Sequence, residues 1–141
     1  MTTPHHDIIV VGSGFSGLGM GIFLKKSGRN DFLILEKSTD FGGTWLDNDY
    51  PGAACDVPSH MYSYSFDQNP DWSRFYSGQA EILAYMKKCA SKYDLYSHFR
   101  GNSELIEARW SDADKRWQLK TGDGKAYTAR VPCTAQRKGP R

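Results

Sequence analysis

Cysteine is scarce in this chain of 141 residues: Cys55, Cys89 and Cys133 are odd in number and far apart. No Cys-x-x-Cys pair and no Cys/His zinc spacing occurs, so neither a disulfide framework nor a metal site is expected. A reducing cytoplasm is the expected compartment. Charge of one sign is equally sparse, since 18 basic and 16 acidic residues are interspersed for a net +2. The basic tail Arg137, Lys138 and Arg141 is too short to argue for nucleic acid. Long hydrophobic runs are missing, and the mean hydropathy is −0.61. The uncharged stretch 8–24, "IIVVGSGFSGLGMGIFL", sits where a signal peptide would. However, Asp7 precedes it and Lys25 and Lys26 follow it, which reverses a signal peptide's charge order. Five of its residues are glycine, too many for a membrane anchor of marginal length. No membrane partner is expected, and there are no repeats and no low-complexity segments. The length suits one domain.

What is present begins with "DIIVV" (7–11), a β-branched run of the kind that forms a strand buried on both faces. A helical pattern follows from about Phe15 to Lys26, ended by Gly28, with Lys25 and Lys26 favouring its C-terminal dipole end. "FLILE" (32–36) reads as a second buried strand, so the three segments form a parallel βαβ unit. A long irregular stretch from Lys37 to about Ser77 comes next, and loops of that length in compact domains usually serve a site. Residues 78–93 carry an amphipathic helical stripe of Ile82, Met86, Cys89 and Tyr93. The period then changes: 104–110, 116–121 and 125–131 read as strands of an antiparallel meander joined by "SDADK" and "GDG". The expected fold class is α/β, an incomplete Rossmann-like domain with a parallel βαβ core and a three-stranded meander.

Gly12, Gly14 and Gly17 form Gly-x-Gly-x-x-Gly on the turn between the first strand and the first helix. Gly12 permits the tight turn, Gly14 lets a pyrophosphate approach the backbone, and Gly17 lets helix and strand pack closely. The phosphates then rest on free N–H groups at the helix N-terminus. Glu36 lies nineteen residues after Gly17, placed to accept hydrogen bonds from an adenosine ribose, unless it is simply a solvated strand-end residue. Its carboxylate suits NAD or FAD and disfavours the 2′-phosphate of NADP. The chain does not continue into a further short βα repeat. It runs instead into "GGTW" (42–45), where Gly42 and Gly43 allow backbone amides near a ligand and Trp45 supplies an aromatic wall. That favours FAD, whose flavin needs covering.

"GSGFSGLG", "LEKSTDFGGTW", "YPGAACDVPSHMYSYSF", "FYSGQAEILAYM" and the Trp110–Trp117 region together resemble the N-terminal part of class B flavoprotein monooxygenases, most of all the Baeyer–Villiger type. The resemblance runs over residues 7–136. It implies an enzyme family that oxidises ketones, sulfides or amines using FAD, NADPH and O₂, with a small-molecule substrate. It also implies FAD contacts at Gly12, Gly14, Ser16, Gly17, Glu36, Gly43, Thr44, Trp45, Asp56 and Tyr62, and adenine contact at the Leu105 backbone. Asp56 would face the flavin as a catalytic group paired with an arginine, against a plain reading as a turn former after Cys55. Trp45 and Tyr62 have core packing as their plain reading.

The resemblance thins at "VPCTAQRKGPR". Thr134 and Gln136 keep the family's places, but Ala135 stands where it has glycine, which implies strain if φ is positive there. Arg137 replaces an apolar residue, and Pro132 removes a ladder donor from the last strand. The second Rossmann motif for NADPH, the fingerprint histidine, the arginine partner of Asp56 and the last parallel strand have no counterpart. The expected organisation is therefore a disordered 1–6, a partial FAD-binding domain over 7–136, and a tail at 137–141 leading toward a missing NADPH domain. Such a fragment is expected to be inactive alone. The competing reading is a non-catalytic dinucleotide-binding module. A short NAD-dependent dehydrogenase is disfavoured because no Tyr-x-x-x-Lys follows.

Overall fold

A computed structural model describes residues 3–135. Gln136, Arg137 and the rest of the expected tail lie outside the described residues. Strand β1 (His5–Val11) leads through the glycine turn into helix α1 (Phe15–Lys26) and back to β2 (Phe32–Leu35). Gly28, at φ +77°, turns the chain out of α1, a conformation that favours glycine. The irregular stretch holds a helical turn, α2 (Thr44–Asp47), and a 3-10 turn at Ser59–Met61, and then α3 (Gln79–Lys92) begins after Gly78. A two-residue strand β3 (Phe99–Arg100) precedes the meander of β4 (Leu105–Ser111), β5 (Arg116–Thr121) and β6 (Ala126–Thr134).

All six strands belong to one sheet in the order β3-β2-β1-β6-β5-β4. The parallel ladder puts Val10 beside Ile34 and Val11 beside Leu35. Strand alternation sends these side chains to opposite faces. Val10, Phe32 and Ile34 face α1 and α3 and build a core with Leu18, Ile22, Ile82 and Met86. Ile9, Val11, Leu33 and Leu35 face the other way, where Leu119, Tyr127 and Ala129 cover them. In the meander the cross-strand pairs Leu119–Tyr127 and Trp117–Ala129 lie on that inner face, and Gln118 and Thr128 lie on the other. A strand sequence that alternates this way fits one buried and one wet face.

Several expectations are corrected here. β1 starts at His5, so residues 5–6 are part of the sheet and not a disordered leader. His5 Nδ1 lies 2.8 Å from Thr128 Oγ1 and His6 faces Asp31 at 3.3 Å, which ties down the strand's start. The last strand of the meander runs on to Thr134 and pairs in parallel with β1. A parallel neighbour for β1 therefore exists within the chain. Beyond Ala129, β6 leaves β5 and its outer edge has no partner strand among the described residues. Pro132 sits in that region and removes no needed donor. Ala135 N–H donates to the Val11 carbonyl at 2.8 Å, so alternation points the nitrogen of residue 132 away from β1. Ala135 is not strained either, since the non-glycine residues of positive φ are Asp94, Asn102 and Lys115.

The long irregular stretch is stitched rather than loose. Ser59 is 1% exposed, and its hydroxyl accepts the Ser77 N–H at 2.7 Å while lying 2.9 Å from the Arg74 and Phe75 carbonyls. Tyr64 donates to the Phe15 carbonyl at the start of α1, and burial pushes its hydroxyl well above the usual phenol range. No helix among the described residues is long and apolar enough to cross a membrane.

Candidate functional site

The glycine turn forms one wall of a cavity of about 890 Å³, toward the upper end of the range for small-molecule sites. Gly12 takes φ +102°, which favours glycine, and its N–H closes the turn on the Leu35 carbonyl at 2.8 Å. α1 starts with Leu18 N–H bonded to the Gly14 carbonyl at 2.9 Å. The amides of residues 15–17 therefore have no carbonyl a turn earlier within the helix, the usual state of a helix N-terminus. Gly17 is a packing residue: a Cβ there would stand 1.9 Å from the Gly12 carbonyl oxygen. Gly14 has room, with the Cα of Gly43 at 3.7 Å from its notional Cβ.

That neighbour belongs to the opposite wall. Gly43 has φ +54° and ψ −122°, and a Cβ on it would lie 2.8 Å from the Gly14 Cα. The two glycine loops thus meet backbone to backbone, held by the Gly42 N–H on the Ser13 carbonyl at 3.0 Å. Trp45, 9% exposed, donates Nε1–H to the Tyr62 hydroxyl at 3.0 Å and packs edge-on to its ring. Phe15 packs edge-on to Tyr62 from the α1 side, with centroids 5.0 Å apart. Trp45 and Tyr62 pack together, as their plain reading has it, and they also line the cavity.

Glu36 is 5% exposed and is not a solvated strand-end residue. Its Oε1 accepts the Ser13 N–H at 3.0 Å and the Ser13 hydroxyl at 2.7 Å, and its Oε2 accepts the Ser38 N–H at 2.7 Å. Its backbone is pinned as well, donating to the Arg100 carbonyl at 3.0 Å and accepting the Ser103 N–H at 2.7 Å. The carboxylate lies on the cavity wall with Lys37 and Glu104 beside it in the lining.

Of the expected residues, Gly12, Gly14, Ser16 and Glu36 line the cavity on the turn side, and Gly43, Thr44, Trp45 and Tyr62 on the other. Three do not reach it. Gly17 packs against the turn, and Leu105 turns its side chain toward the second core. Asp56 is exposed, because Cys55 is the inward residue there, its N–H on the Ser77 carbonyl and its thiol on the Val57 carbonyl. Sequence reasoning missed Ser13 on the turn, Phe15 and Met20 in α1, Asp47 and Asn48 at the end of α2, and Cys133, Thr134 and Ala135 at the end of β6. Ser13 and Phe15 carried a local signal, by lying inside the glycine motif. The β6 residues become part of the site through a pairing that no local pattern encodes. Among the described residues no cluster of His, Cys, Asp or Glu could hold a metal ion.

Residues 10–78 match the family model described as an NAD(P)-binding Rossmann-like domain. A Baeyer–Villiger monooxygenase of Pseudomonas aeruginosa is 47% identical over 125 residues, which are 89% of this chain and 24% of that protein. The FAD-binding monooxygenase ktnD of Aspergillus niger is 46% identical over 114 residues, 80% of this chain and 19% of that protein. The solved structure of an oxidized steroid monooxygenase bound to NADP superimposes with a TM-score of 0.85 at 36% identity, over 93% of this chain and 26% of that one. The chain thus spans roughly a fifth to a quarter of the length of these relatives. The cavity on a Rossmann-like sheet, with this identity along most of the chain, makes it similar to a segment of Baeyer–Villiger and other FAD-binding monooxygenases.

Proposed function

We propose that this chain holds FAD and forms the flavin-binding part of an NADPH- and O₂-dependent monooxygenase that oxidises ketones or related small molecules. The observation that carries the reading is the meeting of Gly14 and Gly43, two stretches of bare backbone on the wall of one cavity that Phe15, Ser16 and the buried Glu36 also line. The donor set fits the group: unpartnered amides at residues 15–17 suit a pyrophosphate, and a buried acceptor suits a ribose hydroxyl. Gly12, Gly14, Ser16, Gly43 and Thr44 would hold the phosphates and ribityl chain, and Trp45 and Tyr62 would wall the flavin end. Gly17 supports the turn without touching the ligand. The Leu105 backbone, one residue from the cavity-lining Glu104, remains the proposed adenine contact. FAD, when bound, supplies the redox chemistry of such an enzyme. The chain's own contribution is to bind, orient and shield it. Asp56 as a flavin-facing catalytic group draws no support from its exposed position. NADPH and substrate would be held by parts of the relatives' length that this chain does not span.

The test is a titration of the purified chain with FAD, ADP-ribose and NADP, followed by quenching of tryptophan fluorescence. FAD and ADP-ribose should bind at least about tenfold more tightly than NADP, because a 2′-phosphate would meet the Glu36 carboxylate. Equal or tighter binding of NADP would overturn the reading.

A further inference from the structure

A carboxylate offers about four acceptor positions, two on each oxygen. In Glu36 the protein already uses three of them. Ser13 donates both its N–H and its hydroxyl to Oε1, and Ser38 donates its N–H to Oε2. Both Ser13, 1% exposed, and Glu36, 5% exposed, line the cavity, so water does not compete freely for these bonds. The Ser13 hydroxyl has no better alternative, since its other acceptor, the Asp40 carbonyl, is 3.5 Å away.

We infer that Glu36 accepts one ribose hydroxyl only, through Oε2, and that Ser13 is the positioning residue that imposes this by filling Oε1. The inference rests on the proposal that the cavity takes the adenosine-pyrophosphate half of a dinucleotide. An acidic residue with both oxygens free could receive the 2′- and 3′-hydroxyls together. Here a second hydroxyl would have to displace the serine, leaving a buried donor unpaired. The second residue of the glycine motif therefore sets how many sugar hydroxyls are read at the end of β2. The adenosine ribose is recognised asymmetrically.

The experiment uses the whole chain and three probes, ADP, 2′-deoxy-ADP and 3′-deoxy-ADP, by isothermal titration calorimetry. One deoxy analogue should bind within about twofold of ADP. The other should bind at least about tenfold more weakly, having lost a bond to an ionised acceptor. Equal weakening by both analogues, or by neither, would overturn the inference while leaving nucleotide binding intact. Failure of ADP itself to bind would instead overturn the proposed function, and the inference with it. In Ser13→Ala the amide still donates but one Oε1 position is freed, so the previously tolerated analogue should fall at least about threefold behind ADP. An unchanged ratio in that variant, with an unchanged urea midpoint, would remove Ser13 from the account. The deoxy series on the unmodified chain stands whether or not the variant folds.

Discussion

Replacing Gly17 by alanine and, in a separate protein, Gly14 by alanine pulls apart two jobs that share one motif. At Gly17 the new methyl would stand 1.9 Å from the Gly12 carbonyl oxygen and 2.7 Å from its carbon. Both are backbone atoms of a turn already fixed by the Gly12 N–H on Leu35, so the turn or the helix must move. Overpacking of this kind costs about 1–3 kcal/mol and sometimes more. Alanine's better helix propensity returns about 0.5–1 kcal/mol. With the upper end of that range for so close an approach, the net loss is about 2 kcal/mol. For a chain of this size that lowers Tm by about 6–8 °C. At Gly14 the backbone is at φ −72°, ψ −164°, open to alanine, and the nearest atom is 3.7 Å away. Stability should fall by no more than about 1 kcal/mol, the cost of a poorer N-cap residue. Binding should fall much further, because the methyl would crowd the cavity wall where a pyrophosphate must approach the amides. Losing such a charge-assisted bond costs about 1.5–3 kcal/mol, or roughly tenfold and upward in affinity. Urea denaturation and ADP calorimetry on both variants read the two effects separately. Similar stability losses in the two variants, or normal ADP affinity in Gly14→Ala, would refute the reasoning.

Glu36→Ala should weaken FAD binding at least about tenfold with unchanged far-UV circular dichroism; unaltered affinity would take Glu36 out of the site. Cys55 and Cys89 are buried, and burial pushes the Cys89 thiol up, whereas Cys133 is half-buried on the cavity wall. Iodoacetamide should therefore label Cys133 first, read by mass spectrometry, and ADP should slow that labelling. Acid should destabilise the fold. Hydrogen bonds from Lys92 to Asp67 and from Ser73 to Glu81 hold both carboxyls below their ordinary range. Groups depressed in this way contribute stability above their unfolded pKa near 4 and lose it as pH falls through the folded value. Urea midpoints should therefore drop below about pH 4. Asp67→Asn should flatten that drop by less than about 1 kcal/mol, because its partner Lys92 is 54% exposed and solvent screens the pair. FAD should raise the midpoint through simple linkage.

The parts of the fold that were legible are those whose signal is local. Helix α3 was expected over 78–93 and is Gln79–Lys92 with Gly78 and Tyr93 as its flanking caps, because a stripe of Ile82, Met86 and Cys89 fixes both its period and its face. β5 was placed at its observed bounds by alternation and by the turns on either side. β3 was invisible, since two residues, Phe99 and Arg100, have no period to read. The joining of β6 to β1 was invisible for another reason: it pairs residues such as His5 and Thr128 that no local window contains together. The site divides along the same line. Gly12, Gly14 and Glu36 were readable because their spacing follows from how a strand, a turn and a helix meet a phosphate, whereas Gly43 was readable only as part of the GGTW loop. The burial of Glu36 among Ser13 and Ser38 was not readable, because it depends on how residues 38–43 fold back over the turn.

The place of β6 in the sheet also sets a timetable during synthesis. β1 gains its first neighbour when β2 emerges, Ile8 pairing with Phe32, but its second neighbour lies 123 residues downstream, as His5 with Thr128. At about 5–20 residues per second a ribosome takes roughly 6–25 s to cover that gap. For that interval one edge of β1 stays unpaired, and Ile9 and Val11 lack the cover later given by Leu119 and Ala129. Thr134 and Ala135, at the far end of the same strand, also complete the cavity wall. A nascent chain therefore cannot present a finished cavity until nearly all of this segment has left the exit tunnel. The bare β1–β2 pair is the surface a holding chaperone would meet first.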